Sequence, residues 1–126
     1  MISLVTGIRQ IHVSVTNIET SVAFYRDVLG LRHLFTVPEQ PMAFFDVGGV
    51  RLYLGVPEDE AYRSLPVIYF AVDHVAAAFD QVVSHGARVL AGPTCVHRDD
   101  DGELWLAFVA DPDGTPVALS EQRRIR

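Results

Sequence analysis

Ile11-His12-Val13-Ser14-Val15 is a short apolar run with strand character, and a helical pattern follows it at once. The same succession returns at Ile68-Tyr69-Phe70-Ala71-Val72. After the first run, Thr16 and Glu19 stand at capping-box spacing, and Ile18, Val22, Tyr25 and Leu29 share one helical face. Gly30 closes that helix as a left-handed residue would. After the second run, Asp73 is the expected N-cap, Val75, Phe79 and Val82 carry the face, and Gly86 closes it. Working outward, residues 31–37 and 87–90 read as second strands, 42–47 and 104–110 as third strands, and 51–54 and 116–119 as fourth strands. Turns follow both third strands, at Gly48-Gly49 and at Asp111-Pro112-Asp113-Gly114, where Pro fixes φ and Gly tolerates φ > 0. The order β-α-β-β-β is therefore written twice.

This predicts an α+β fold of two tandem βαβββ modules forming a curved mixed sheet. The modules span about 8–55 and 67–121, joined by a linker at 56–66, and together make one domain of 126 residues. A unit of about 55 residues is too short to rely on a core of its own, so the two copies are expected to work together. The linker is polar, with Pro57 and Pro66; its acidic run Glu58-Asp59-Glu60 reads as a solvated loop, with a functional acidic patch as the weaker reading.

Strand alternation assigns faces. Ile11, Val13 and Val15 pack under the first helix, leaving His12 and Ser14 on the opposite face. Ile68, Phe70 and Val72 do the same in the second copy, leaving Tyr69 and Ala71. Leu52 and Leu54 pack, so Arg51 and Tyr53 point away; Val117 and Leu119 pack, so Ala118 and Ser120 point away. Curving the two polar faces together would make a concave ligand site, or cup.

Composition excludes several functions. Ten Lys plus Arg against 16 Asp plus Glu give a net charge of -6, which argues against nucleic acid and anionic membrane as partners. The basic tail Arg123, Arg124 and Arg126 reads as a solvated terminus. The single cysteine, Cys95, forbids an intramolecular disulfide or a multi-thiolate zinc site, and reads as a small buried hydrophobe. Residues 1–7 are too short for a signal segment, and no stretch approaches the ~20 apolar residues of a membrane span. A cytoplasmic location is expected.

The pattern resembles the vicinal-oxygen-chelate superfamily, the group of glyoxalase I, bleomycin- and fosfomycin-resistance proteins and extradiol dioxygenases. The residues that carry the resemblance are His12 in its strand, the string Val22-Ala23-Phe24-Tyr25-Arg26-Asp27-Val28-Leu29-Gly30-Leu31, and Phe108-Val109-Ala110-Asp111-Pro112-Asp113-Gly114 before the last strand. The resemblance implies chelating positions on the first and fourth strand of each module, occupied here by His12, Tyr53, Tyr69 and Ala118. Only His12 is a good divalent-metal ligand; Tyr is a poor one with its pKa near 10, and Ala118 has no ligand atom where relatives often carry a glutamate. Glu121, the nearest carboxylate, is out of phase with Ala118. No cofactor is expected, a divalent metal being the lesser alternative. The resemblance also implies a homodimer.

The other histidines read as structural: His33 in a strand, His74 and His85 at the ends of the second helix, His85 favoured by the dipole. His97 and the following Arg98 to Glu103 read as a polar loop without the spacing of a calcium site. Trp105 is expected at the cup rim, so that Tyr53, Tyr69, Trp105, His12 and Arg51 line a site for a planar or apolar small molecule.

Four functions follow, in order of preference. The first is a metal-independent binder of a small organic molecule, aromatic or antibiotic-like. The second is a metal-independent isomerase, epimerase or lyase, with His12 as base and Tyr69 or Tyr53 donating a proton or hydrogen bond. The third is a metal-dependent lyase or dioxygenase. The last is an interaction module whose cup forms only a dimer interface.

Overall fold

A computed structural model describes residues 4–125. The sequence expectations for residues 1–3 and for Arg126 lie outside the described residues. The chain divides between Leu65 and Pro66 into two compact units. Each holds one four-stranded mixed sheet with a helix on one face.

In the first unit the elements are β1 (Gln10–Ser14), α1 (Ile18–Ala23), β2 (Arg32–Thr36), β3 (Met42–Val47) and β4 (Val50–Gly55). The strand order is β1-β4-β3-β2, with β1 parallel to β4 and the other pairs antiparallel. The alternation expected from sequence holds. Val13, Ala43, Phe45, Leu52 and Leu54 are buried on the helix side, where the Tyr25 ring meets Phe45 at 6.3 Å. Burying one such aliphatic side chain is worth about 1.5–3 kcal/mol, so this layer carries the unit.

Two local features of this unit depart from the sequence reading. The N-cap is Asn17 rather than Thr16: its side chain accepts from the Thr20 N–H, because Asn17 is the last residue with extended backbone. The helix is also not α throughout. Residues Phe24–Val28 form a π turn, in which the Leu29 N–H donates to the Phe24 carbonyl. Gly30 follows with φ 74°, the left-handed closure expected.

The second unit repeats the order with β5 (Ile68–Ala71), α2 (Val75–Ser84), β6 (Arg88–Asp99), β7 (Gly102–Ala110) and β8 (Pro116–Arg124). Its sheet runs β5-β8-β7-β6, with β5 parallel to β8. The buried layer is Val75, Val82, Ala107, Val109, Val117 and Leu119.

Four expectations need correction here. His97, Arg98 and Asp99 are not loop residues: β6 continues to Asp99, and the turn is only Asp100-Asp101. The pairs Arg98↔Glu103 and His97↔Leu104 hold the hairpin together, with an Arg98–Glu103 ion pair of 2.6 Å. Asp73 does not cap α2. The N-cap position is His74, which makes no side-chain capping bond. The cap comes from β8, where Glu121 Oε1 accepts from the Val75 N–H at 2.7 Å. Arg123 is likewise no free tail: it pairs with Glu121 at 2.7 Å and stacks over Trp105 at 4.1 Å. Cys95 is half-buried rather than buried, its thiol donating to the His97 carbonyl.

Candidate functional site

The face of the first sheet turned away from α1 carries a row of rings. Phe35, Phe44, Tyr53 and His12 are register partners across all four strands. Neighbouring centroids are 4.9 Å apart for Phe35–Phe44, 5.0 Å for Phe44–Tyr53 and 4.5 Å for Tyr53–His12. The Phe44–Tyr53 pair is nearly parallel at 16°. A bulge between His33 and Phe35 makes this row possible. Without it both residues would share a face; with it His33 packs on the core ring of Phe45 while Phe35 joins the row. The Arg51 guanidinium lies over the same row, 5.4 Å from Phe44 and 5.9 Å from Phe35.

At the His12 end the row opens into a pocket of about 610 Å³. That volume suits a small organic ligand. The sheet side of the wall is Gln10, His12, Met42 and Tyr53; the other side is Gln40 and Pro41 with the segment from Val56 to Ser64, which contributes Glu58 and Tyr62. This segment carries the acidic run expected to be a solvated loop, and Glu58, Asp59 and Glu60 are exposed. It is held against β1 by two bonds: the Ser14 N–H donates to the Ser64 carbonyl at 2.7 Å, and the Ser64 N–H donates to Ser14 Oγ at 2.8 Å. Within it, Asp59 caps the single 3-10 turn Glu60–Tyr62, and Glu60 pairs with Arg63 at 3.3 Å. Sequence reading missed Gln10, Met42, Glu58 and Tyr62 as site residues. Gln10 and Met42 were findable, being in phase with His12 and Phe44 by alternation; Tyr62 and Glu58 carried no periodic signal.

Gly55 explains how Tyr53 sits. A Cβ at Gly55 would come within 2.7 Å of the Tyr53 ring carbon Cε1 and of its hydroxyl oxygen. The ring therefore lies along its own strand over the bare glycine, flat against Phe44.

His12 is part-buried. Nε2 is 3.2 Å from Ser14 Oγ, and Nδ1 is buried without a hydrogen-bond partner. Burial lowers its pKa below that of an ordinary histidine; a backbone contact with Tyr53 acts in the opposite sense and is the smaller effect. The imidazole is therefore neutral near pH 7, and in this arrangement it offers the pocket its ring more than a free lone pair.

In the second unit, Tyr69 stands on the sheet face opposite α2, 57% exposed, with its ring edge-to-face on Phe108 at 5.9 Å. Ala118 lies between them in register and is fully buried. Trp105 is not on that face. It is three residues from Phe108 on one regular strand, so alternation sends it to the helix side with Ala107 and Val109. There its Nε1–H donates to Glu103 Oε1 at 2.8 Å beneath the Arg123 guanidinium. Of the five residues expected to line one site, the structure brings His12 and Tyr53 together in the pocket and puts Arg51 on their row. Tyr69 stands in the other unit, and Trp105 is turned away.

The chelating positions implied by the resemblance are poorly furnished with donors. Register pairs His12 with Tyr53 and Tyr69 with Ala118. His12 has one nitrogen at Ser14 and the other buried, Tyr53 is stacked into a row, and Ala118 is roofed by two rings. One imidazole, two phenols and a methyl do not make the donor set of a divalent catalytic metal.

Comparison with known proteins agrees on the architecture. Residues 7–119 match the profile of the Glyoxalase/Bleomycin resistance protein/Dioxygenase superfamily. The metallothiol transferase FosB of Lysinibacillus sphaericus is 31% identical over 116 residues, covering 87% of this chain and 78% of that protein. The lactoylglutathione lyase of Haemophilus influenzae is 28% identical over 123 residues, covering 86% and 87%. Among solved structures, an integron cassette protein from V. cholerae superposes with a TM-score of 0.75 at 20% identity, covering 96% of this chain and 98% of that one. The TioX protein of Micromonospora sp. ML1 gives 0.72 at 18%, covering 92% and 98%. At such identities the structural likeness speaks for the fold.

Proposed function

Because the chain belongs to the Glyoxalase/Bleomycin resistance protein/Dioxygenase superfamily, we propose that it uses this fold to bind a small organic molecule in the pocket of its first unit, without a metal. The observation that carries this reading is the pocket wall: the rings of His12, Tyr53 and Tyr62 with the apolar side chains of Met42, Pro41, Val56 and Pro57 around about 610 Å³, His12 and Tyr53 standing at two of the chelating positions that the resemblance implies. Rings supply contact area and stacking, while Gln10, Gln40 and Ser64 supply polar groups to orient a ligand. Arg51 steadies the row and Tyr69 offers a second exposed ring in the other unit. The test is titration of an aromatic and antibiotic panel by calorimetry, with and without a chelator. Binding that survives the chelator and is lost in Tyr53→Leu supports the reading; binding that requires added Ni, Zn, Mn or Fe(II) removes it.

A second reading keeps the same residues for metal-independent isomerase, epimerase or lyase chemistry. The neutral state of His12 favours it, since a neutral imidazole can accept a proton. Against it stands the ring's geometry, with Nε2 at Ser14 and Nδ1 buried. Turnover lost in His12→Gln and Tyr69→Phe while binding persists would establish the enzyme.

A further inference from the structure

The acidic run of the linker is not uniform. Asp59 accepts from the Ala61 N–H and Glu60 holds Arg63, so both are used locally. Glu58 has no such partner among the described residues and lines the pocket. The pocket wall contains no arginine, and the chain has no lysine to supply another cation. Its one histidine, His12, gains no charge from its surroundings: burial disfavours the charged ring. On the same sheet face Arg51 lies outside the pocket wall and stands opposite Asp46 in register. Arg51 shows what these rings accept, since its guanidinium already rests over Phe44 and Phe35. Tyr53 and Tyr62 bring two further aromatic rings to the pocket wall itself.

We infer that the pocket selects an organic cation: an apolar or aromatic body carrying a protonated amine, guanidinium or quaternary ammonium, with the charge set toward Glu58 and the tyrosine rings. This rests on the pocket being the binding site and adds its charge preference. An anionic ligand finds no cation on the pocket wall and meets the Glu58 carboxylate, so it is disfavoured.

The experiment uses the full chain and three probes that differ only in charge: 2-naphthylmethylammonium, 2-naphthylmethanol and 2-naphthoate. Affinities are read by calorimetry, and the methyl NMR signal of Met42, on the pocket wall, reports where each binds. The ammonium should bind roughly fivefold tighter than the alcohol, and the carboxylate weaker than either, as expected for one charge near a solvent-exposed carboxylate. Glu58→Gln should remove the ammonium's advantage and leave the alcohol unchanged. A carboxylate that binds as tightly as the ammonium, or an advantage that survives Glu58→Gln, overturns the charge preference while leaving the pocket as a binding site. If no probe moves Met42, the pocket reading falls and this inference falls with it.

Discussion

Replacing Gly55 by alanine is the sharpest perturbation this structure offers. The added Cβ would sit 2.7 Å from the Tyr53 ring, inside any van der Waals contact, and its three nearest atoms all belong to that one side chain. Gly55 is not among the residues with positive φ, so the backbone of β4 accepts alanine. The ring must then swing off Phe44 and His12, losing two ring contacts worth about 0.5–1.5 kcal/mol each. Against this, alanine restricts the unfolded chain and returns about 0.4–1 kcal/mol. The net loss is roughly 1–2 kcal/mol, a fall in Tm of about 3–8 °C for a chain of this size. Ligand affinity should drop about tenfold, because the displaced ring reshapes the pocket wall. Thermal unfolding of a double-mutant cycle with Tyr53→Ala gives the decisive comparison. In the Tyr53→Ala background Gly55→Ala should be neutral or stabilising. If it destabilises both backgrounds equally, the glycine is not there for the tyrosine and the account of the row is wrong.

Other outcomes follow from the same geometry. The His12 pKa is lowered by burial, so the folded state binds its proton less readily than the unfolded chain; stability is unaffected above the ordinary value of 6.5 and falls as pH drops from there through the folded pKa. An NMR titration of the ring should show the low midpoint, and His12→Gln should flatten the stability profile across that window. Glu121 has its pKa lowered by the Val75 N–H first and Arg123 second, so its contribution is present above the ordinary carboxylate range and lost as pH falls through the folded value. Glu121→Gln should flatten that acid limb, and Glu121→Ala should speed amide exchange at Val75 selectively. Trp105→Phe should leave ligand affinity within about twofold, a change below the significance of a kcal/mol, because the indole is on the helix side of its sheet; a tenfold loss would put it back in the site.

The fold was largely readable because both of its signals are local. Each strand–helix succession has its own period, and the repeat makes one copy check the other. β3 falls at the expected residues, Gly30 and Gly86 take the positive φ expected of them, and Leu52, Leu54, Val117 and Leu119 are buried as alternation requires. What escaped depends on counting across a break. The bulge beside Phe35 changes the parity of one strand, and nothing in Arg32 to Thr36 announces it. Trp105 failed in the opposite way: β7 is regular, so counting from Phe108 gives its face, but the segment before it read as loop and the strand had no fixed start. The α2 cap came from Glu121, 46 residues away, beyond the reach of any local motif. The pocket's far wall is irregular chain, whose position is set by Ser14 and Ser64 rather than by any pattern within it.

That last attachment has a consequence for how such a protein can change. The segment between Gly55 and Ser64 is fixed at one end by the sheet and at the other by two hydrogen bonds to Ser14. Its interior, including Glu58 and Tyr62, contributes nothing to the buried layer under α1. It behaves as a cassette: about eight residues can be exchanged between two clamped ends, altering charge, shape and ring count on one wall, while the sheet that supplies the other wall keeps its register. One wall of the pocket can thereby be revised in a stretch of chain that the buried layer does not use, leaving the sheet residues of the other wall in place.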